Sequence, residues 1–487
     1  MRWADEQQLG RNSIHDRHSG AGGCARAYMS ATRATWAVAF LLLTCLVPSA
    51  SADGAMDAWA QFTLAPKVWK GQTVAAPDHV ARPDAAFNAC HSSSWPAHAH
   101  LPIRSSRRQA QTLLSALDAA YAALARLGWP VPWPDGGYGS TLGFDLYVAD
   151  TGCDACAHVD DPIAWTDFDS AQTYAVLDSA SAAFDAAPCV LSALTQAGLR
   201  AADPSEAESW VRAGGELAAW LTTGEPGCSD SFVAGQRTAA DGLLNDELGS
   251  AAAGALFLAV VSERRGSDDG EFVRGLWETT RQRSHGLVAA DRLRSSPDLW
   301  EALAQTLRVH GVELQDELIE FAVARYFAGP AQRRAQAGYA VLRALPESAG
   351  VPLTAELTAS ATAHHLRPNT ELAALGTAYV HVDIPLISGR RDAAAAADAT
   401  ELRVWLKGEL GPDWSLTAVR LAADGRELGR TSAPARRVPS SYLPIALEAE
   451  TRSVLLVIVN LSEAIPDADR PGPGPHGYEL VIASASP

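Results

Sequence analysis

The hydrophobic period of this chain changes once, and that change fixes what it can fold into. Over residues 105–127 and again from about 180 to 330, apolar residues recur at three-and-four spacing, whereas after about residue 335 they come in short strand-like runs. Residues 105–127 are the clearest helix. Leu113, Leu114, Leu117, Ala120, Tyr121, Leu124 and Leu127 form its stripe, and Gly128 stops it. Further helices are predicted over 187–202, 206–222, 243–264, 271–283, 296–310 and 312–328, the last ended by Gly329-Pro330. Strands are predicted at 144–148 and 173–177, then at 404–406, 415–421, 426–431, 453–460 and 478–484. Asp424-Gly425 is a tight-hairpin signal between two of the later strands. The expected fold class is therefore α+β: a helix-rich domain followed by a small all-β sandwich.

The amino terminus reads as an export signal. Residues 36–47 are an apolar run preceded by Arg33 and followed by Ala50-Ser51-Ala52, a small-residue cleavage site. The run is shorter than the roughly 20 residues a bilayer span needs. A signal peptide over 1–52 is expected, with Met29 as a second possible start. The remaining boundaries are an irregular lead-in over 53–103, the helix-rich domain over 104–335, a linker over 336–367 and the sandwich over 368–487. The apolar stretch 250–261 has the length of a buried core helix. In the lead-in, His98 and His100 read as lone surface or capped histidines.

Export sets the reading of the cysteines. Cys24 and Cys45 fall in the signal, which leaves Cys90, Cys153, Cys156, Cys189 and Cys228. In an oxidising compartment these imply two disulfides and one free thiol. Cys153 and Cys156 form a lone CxxC, without the second pair of a zinc knuckle, and read as a disulfide or pinned loop. The net charge is −17; residues 1–52 hold five Arg and three acidic residues, so the exported chain carries −19. That charge argues against nucleic acid or an anionic membrane as partner. A secreted, periplasmic or cell-envelope location is expected.

The usual chemical signatures are missing. No HExxH, no G-x-S-x-G and no phosphate-binding loop occurs. Asp160-Asp161 and Asp268-Asp269 read as solvated turns. Ser205, with Glu208 three residues later, reads as a capping box for the helix at 206–222.

One layout does stand out. A helix ends in Leu127-Gly-Trp-Pro130, Pro134-Asp-Gly-Gly137 follows, then the strand at 144–148, a helix, Asp203-Pro204, Trp210 and Gly214-Gly-Glu-Leu-Ala-Ala-Trp220. Over residues 105–330 this order resembles secreted bacterial zinc peptidases of the gluzincin kind. In that family one helix carries HExxH and the next supplies a Glu as third zinc ligand; the metal activates a water. The resemblance places the first His on Ser192, the catalytic Glu on Ala193, the second His on Gln196 and the third ligand on Gly215, with Glu216 one residue late. It implies a metallopeptidase-like domain with a degenerate motif, hence no catalytic residue, no metal ligand and no cofactor. The expected function is a catalytically inactive exported protein that binds peptides or protein or envelope partners. Two alternatives stand beside it. One is an active zinc-dependent hydrolase using Glu216 with His158 or His285. The other is a surface or structural protein whose C-terminal β-module binds.

Overall fold

A computed structural model describes residues 73–75, 80–84, 87–139, 141–162, 169–179, 186–224, 228, 231–243, 248–266, 270–281, 292–294, 296–360, 362–385, 401–436, 440–462 and 474–485. The expected signal over 1–52 lies outside the described residues.

The strands are β1 Thr73–Ala75, β2 Phe87–His91, β3 Ala97–Pro102, β4 Phe144–Val148, β5 Ala155–Pro162, β6 Ala171–Leu177 and β7 Arg292–Arg294. They continue with β8 Ala355–Thr358, β9 His364–Leu366, β10 Thr377–Asp383, β11 Glu401–Gly408 and β12 Trp414–Leu421, then β13 Glu427–Arg436, β14 Ser440–Ala446, β15 Ser453–Asn460 and β16 Tyr478–Ala485. The α-helices are α1 Arg107–Leu127, α2 Ala186–Ala202, α3 Glu208–Thr223, α4 Ser231–Arg237, α5 Leu248–Arg264, α6 Glu271–Thr280, α7 Leu299–Val309, α8 Leu314–Tyr326 and α9 Ala340–Ala344.

A five-stranded mixed sheet, ordered β2-β3-β4-β6-β5, opens the fold. β2 and β3 correct the expected irregular lead-in: Ala97, Ala99 and Leu101 alternate and are buried in the core. In β4, Phe144, Leu146 and Val148 face the helices, while Asp145 and Tyr147 point to the opposite face. The helices α1 and α2 pack on the first face, α3 packs on α2, and α5 packs on α3. α5 is buried all round, with Ala251 to Val261 among the least exposed residues, as a central core helix must be.

α1 begins with a capping box. Ser106 Oγ accepts from Gln109 N at 3.2 Å, and Gln109 Oε1 accepts from Ser106 N at 2.7 Å. Gly128, at φ 68°, closes the helix in the left-handed region. Replacing Ser106 by Ala should lower the unfolding free energy by about 1 kcal/mol, read as a shift in a urea titration. The box expected at the start of α3 does not form. Ala207 occupies the N-cap position without a side-chain bond, Ser205 Oγ donates to Asp203 Oδ1 at 2.7 Å, and Arg200 and Arg212 hold Glu208. The charge pairs outcompete the cap because both arginines reach the same carboxylate.

The C-terminal sandwich pairs a five-stranded sheet, β13-β12-β15-β10-β8, with a four-stranded sheet, β14-β11-β16-β9. The expected linker over 336–367 is structured instead: it holds α9, and β8 and β9 within it are already sandwich strands. Asp424-Gly425 does turn the β12–β13 hairpin, with Gly425 at φ 77°. β15 is buried along its whole length. Val454, Leu456 and Ile458 fill the sandwich, whereas Leu455, Val457 and Val459 join the core of the helical domain. Charge reinforces this seam: Arg430 on β13 bonds Glu320 on α8 at 2.6 Å and also Glu427.

Among the described residues no helix is long and apolar enough to cross a membrane.

Candidate functional site

The positions singled out by the peptidase resemblance do converge. α2 and α3 cross with Gly215 at the contact; a Cβ there would lie 2.8 Å from Gln196 Cγ and from Ser192 O and Oγ. Gly215, expected at the third-ligand position, serves as the close-approach residue of this crossing. Glu216 is the residue that reaches across, and Ser192 Oγ donates to its Oε1 at 3.0 Å. Its Oε2 accepts from Cys228 N at 2.8 Å, and Cys228 is fixed to α2 by the Cys189–Cys228 disulfide. Gln196 Nε2 donates to Ser192 Oγ and to Ala155 O on β5, both at 3.1 Å. Ala193 is fully buried and carries no polar group.

This knot ties helix to helix and both to the edge strand of the sheet. β5 lies at the end of the strand order, antiparallel to β6, and no strand pairs with its outer edge among the described residues. Ser192, Gln196 and Glu216 are all buried. Burying such groups is tolerable only because they bond one another. One acceptor is left over: Gln196 Oε1 is buried without a partner.

The donor set does not fit zinc. A zinc site needs at least three strong ligands, drawn from imidazole, thiolate and carboxylate. Here a neutral hydroxyl, a neutral amide and a single carboxylate meet, and both carboxylate oxygens already accept hydrogen bonds. The orphaned Gln196 Oε1 adds one weak neutral donor. Ala193 provides no base where the family has its Glu.

The alternative ligands are not brought to this cluster. His158 pairs in register with Tyr174, and its ring lies 5.2 Å from the tyrosine ring, on the sheet face away from α2. Burial lowers its pKa. His285 lies outside the described residues.

The cysteines and two of the charged positions need correction. Cys153 is bonded to Cys156 and Cys189 to Cys228. The expected single free thiol is not found: Cys90 is also disulfide-bonded. Asp160 is a buried strand residue rather than a solvated turn, and it holds Arg82. His100 is likewise buried, with Nε2 2.7 Å from Asp145 Oδ1. No motif spacing links these residues, so the sequence held no signal for them. Asp268 and Asp269 lie outside the described residues.

Open clefts occur elsewhere, where the helices meet the sandwich. One of about 670 Å³ is lined by Tyr326, Arg334, His381, Asp383 and Arg452. Another of about 490 Å³ is lined by Trp300, Arg308, Leu318, Leu375 and Leu461. Neither touches Ser192 or Glu216.

No protein-family profile matches the chain, and no curated protein sequence matches it. Among solved structures, 27% of the chain is similar to the pre-peptidase C-terminal domain of a collagenase from Bacillus anthracis, at 10% identity, 96% coverage of that domain and a TM-score of 0.17. The infectious bursal disease virus VP2 subviral particle matches 26% of the chain at 13% identity, with 31% of that protein covered and a TM-score of 0.14. A β-glucosidase from Paenibacillus barengoltzii matches 26% of the chain at 16% identity, with 12% of that enzyme covered and a TM-score of 0.12. Scores this low carry no functional argument.

Proposed function

We propose that the chain is an exported, non-catalytic binding protein built on a peptidase-like scaffold, with peptides or envelope partners as its ligands. One observation carries the reading. Ser192 and Gln196, standing where two zinc ligands are expected, and Glu216, one residue past the expected third position at Gly215, are bonded together inside the protein. Such a cluster holds two helices in place and offers neither a metal seat nor an activated water. The outer edge of β5, on which no strand pairs among the described residues, supplies a binding mode, because an extended peptide can add to a sheet edge through main-chain bonds. Two disulfides, and the absence of a membrane-crossing helix among the described residues, are compatible with export.

The test is metal analysis of the chain purified without chelator and re-supplied with zinc, together with a peptide-hydrolysis assay. Sub-stoichiometric zinc and no cleavage are expected. About one zinc per chain, lost in Glu216→Gln, would overturn the proposal and favour the active hydrolase.

A second reading rests on the sandwich. Trp405 and Tyr442 stand side by side on its outer face, ring centroids 5.2 Å apart, and are 38% and 47% exposed. Exposed aromatic pairs mark interaction surfaces. Partner binding lost in Trp405→Ala would assign the function to this module.

A further inference from the structure

The sheet face away from α1 and α2 carries polar and aromatic side chains, and a short segment lies across it. Residues 80–84 have no regular secondary structure. They touch the sheet through Tyr174, whose hydroxyl donates to Val80 O at 2.9 Å, and through Arg82.

The Arg82 guanidinium is matched on every side. Nε donates to Asp160 Oδ1 at 3.1 Å, and Nη2 bonds the other oxygen of the same carboxylate, a bidentate pair. Nη2 also lies 2.9 Å from Asp135 Oδ2. Nη1 bonds Asp145 and donates to the Tyr147 hydroxyl at 3.2 Å. The Tyr174 ring lies under the cation, 4.9 Å from its carbon to the ring centroid. The three carboxylates have side-chain exposures of 0%, 0% and 1%, against 13% for the arginine. Gly139 closes the wall: a Cβ there would come within 2.3 Å of Arg82 Nη1 and 1.6 Å of Asp145 Oδ2.

A structural ion pair needs one carboxylate. This cradle uses three carboxylates and two tyrosines, from β4, β5, β6 and the loop before β4, to fit one planar cation. That cation arrives on a segment which makes no strand of the sheet. We propose that the cradle is an arginine-binding site, and that Arg82 is a tethered occupant replaceable by an arginyl side chain of a peptide or protein ligand. The site lies on the opposite sheet face from Ser192 and Glu216, so it stands or falls independently of the function proposed above.

The test uses the full chain carrying Arg82→Ala, whose thermal unfolding is followed with added N-acetylarginine amide, N-acetyllysine amide or sodium chloride at matched ionic strength. A ligand that binds the folded state raises the melting temperature in a saturable way. The arginine compound should bind about tenfold more tightly than the lysine compound, because an ammonium cannot form the bidentate pair. It should bind the unsubstituted chain on the order of tenfold or more weakly, because the tethered arginine competes at a millimolar effective concentration. Equal responses to arginine, lysine and salt, or no response from a folded variant, would overturn the proposal. If Arg82→Ala does not fold, hydrogen exchange of residues 80–84 in the unsubstituted chain decides. Faster exchange on adding an arginine-bearing peptide, but not its lysine analogue, supports displacement, and unchanged exchange refutes it.

Discussion

Replacing Cys189 and Cys228 together by Ala should lower the unfolding free energy by about 4 kcal/mol, the loop-closure entropy that a bridge over a separation of 39 residues removes from the unfolded chain. The loop it closes runs from α2 through α3 to the segment that donates to Glu216. The variant therefore also loosens the Cys228 N–H bond to that carboxylate. The Cys153–Cys156 bridge spans a separation of only 3, and the same relation gives about 2 kcal/mol for its loss. Urea titrations of the two double variants should thus separate clearly. Equal losses would mean that loop length does not set the contribution, and that the α2–α3 region is held by its packing alone.

The second large effect is on pH. Asp203 is buried before α3, and burial pushes its pKa up to about 6, helped by the charge of Asp169 and opposed by hydrogen bonds from Ser205 and Thr280. Glu206 is pushed well up as well, first by burial and then by the charges of Asp203 and Asp298. A carboxyl with a raised folded pKa contributes stability that is fully present below its unfolded value and is lost as pH rises through the folded one. For Asp203, the move from 3.8 to about 6 corresponds to about 3 kcal/mol lost by pH 7. Asp145 and Glu208 act in the opposite sense. Burial would raise Asp145, but His100 and its other partners hold it well below the usual range; the two flanking arginines do the same for Glu208. Their stabilisation is present above the ordinary carboxylate range and is lost only in stronger acid. Between pH 5 and 7.5 the two raised carboxyls outweigh the opposite pull of His98 and His158, whose pKa values burial lowers, and the urea midpoint should fall as pH rises. Asp203→Asn should flatten that slope. A wild-type midpoint that stays level or rises across this window would refute the assignment.

How much was legible in the sequence depended on the range of the interaction. The helix of residues 107–127 was readable because its apolar spacing, cap and stop glycine all act within a few turns. The β12–β13 hairpin was readable for the same reason: two turn residues fix it. Strands β2 and β3 were missed because they are short, rich in Ala and His, and gain their stability from partners in β4 rather than from propensity. The false capping box at Ser205 shows the limit of local rules, since Arg200 and Arg212 claimed the glutamate that the motif needed.

The candidate site divides in the same way. The resemblance placed four positions on two neighbouring helices, and the helix crossing brought Ser192, Gln196 and Gly215 together. That Glu216 faces Ser192 was a matter of one residue, about 100° around a helix, which only the packing angle of α2 on α3 could fix. The Arg82 cradle was invisible for a stronger reason. Its partners are 53, 63 and 78 positions away, at Asp135, Asp145 and Asp160, and no periodicity connects them.

The sequence by itself determined the periods, and with them the α+β class and the order of helices and late strands, because side-chain spacing within an element reports which face is buried. Only the tertiary structure decided which carboxylate meets which hydroxyl or guanidinium. Those bonds depend on strand order and helix crossing, which are set by the free energy of the whole core rather than by any local stretch of chain.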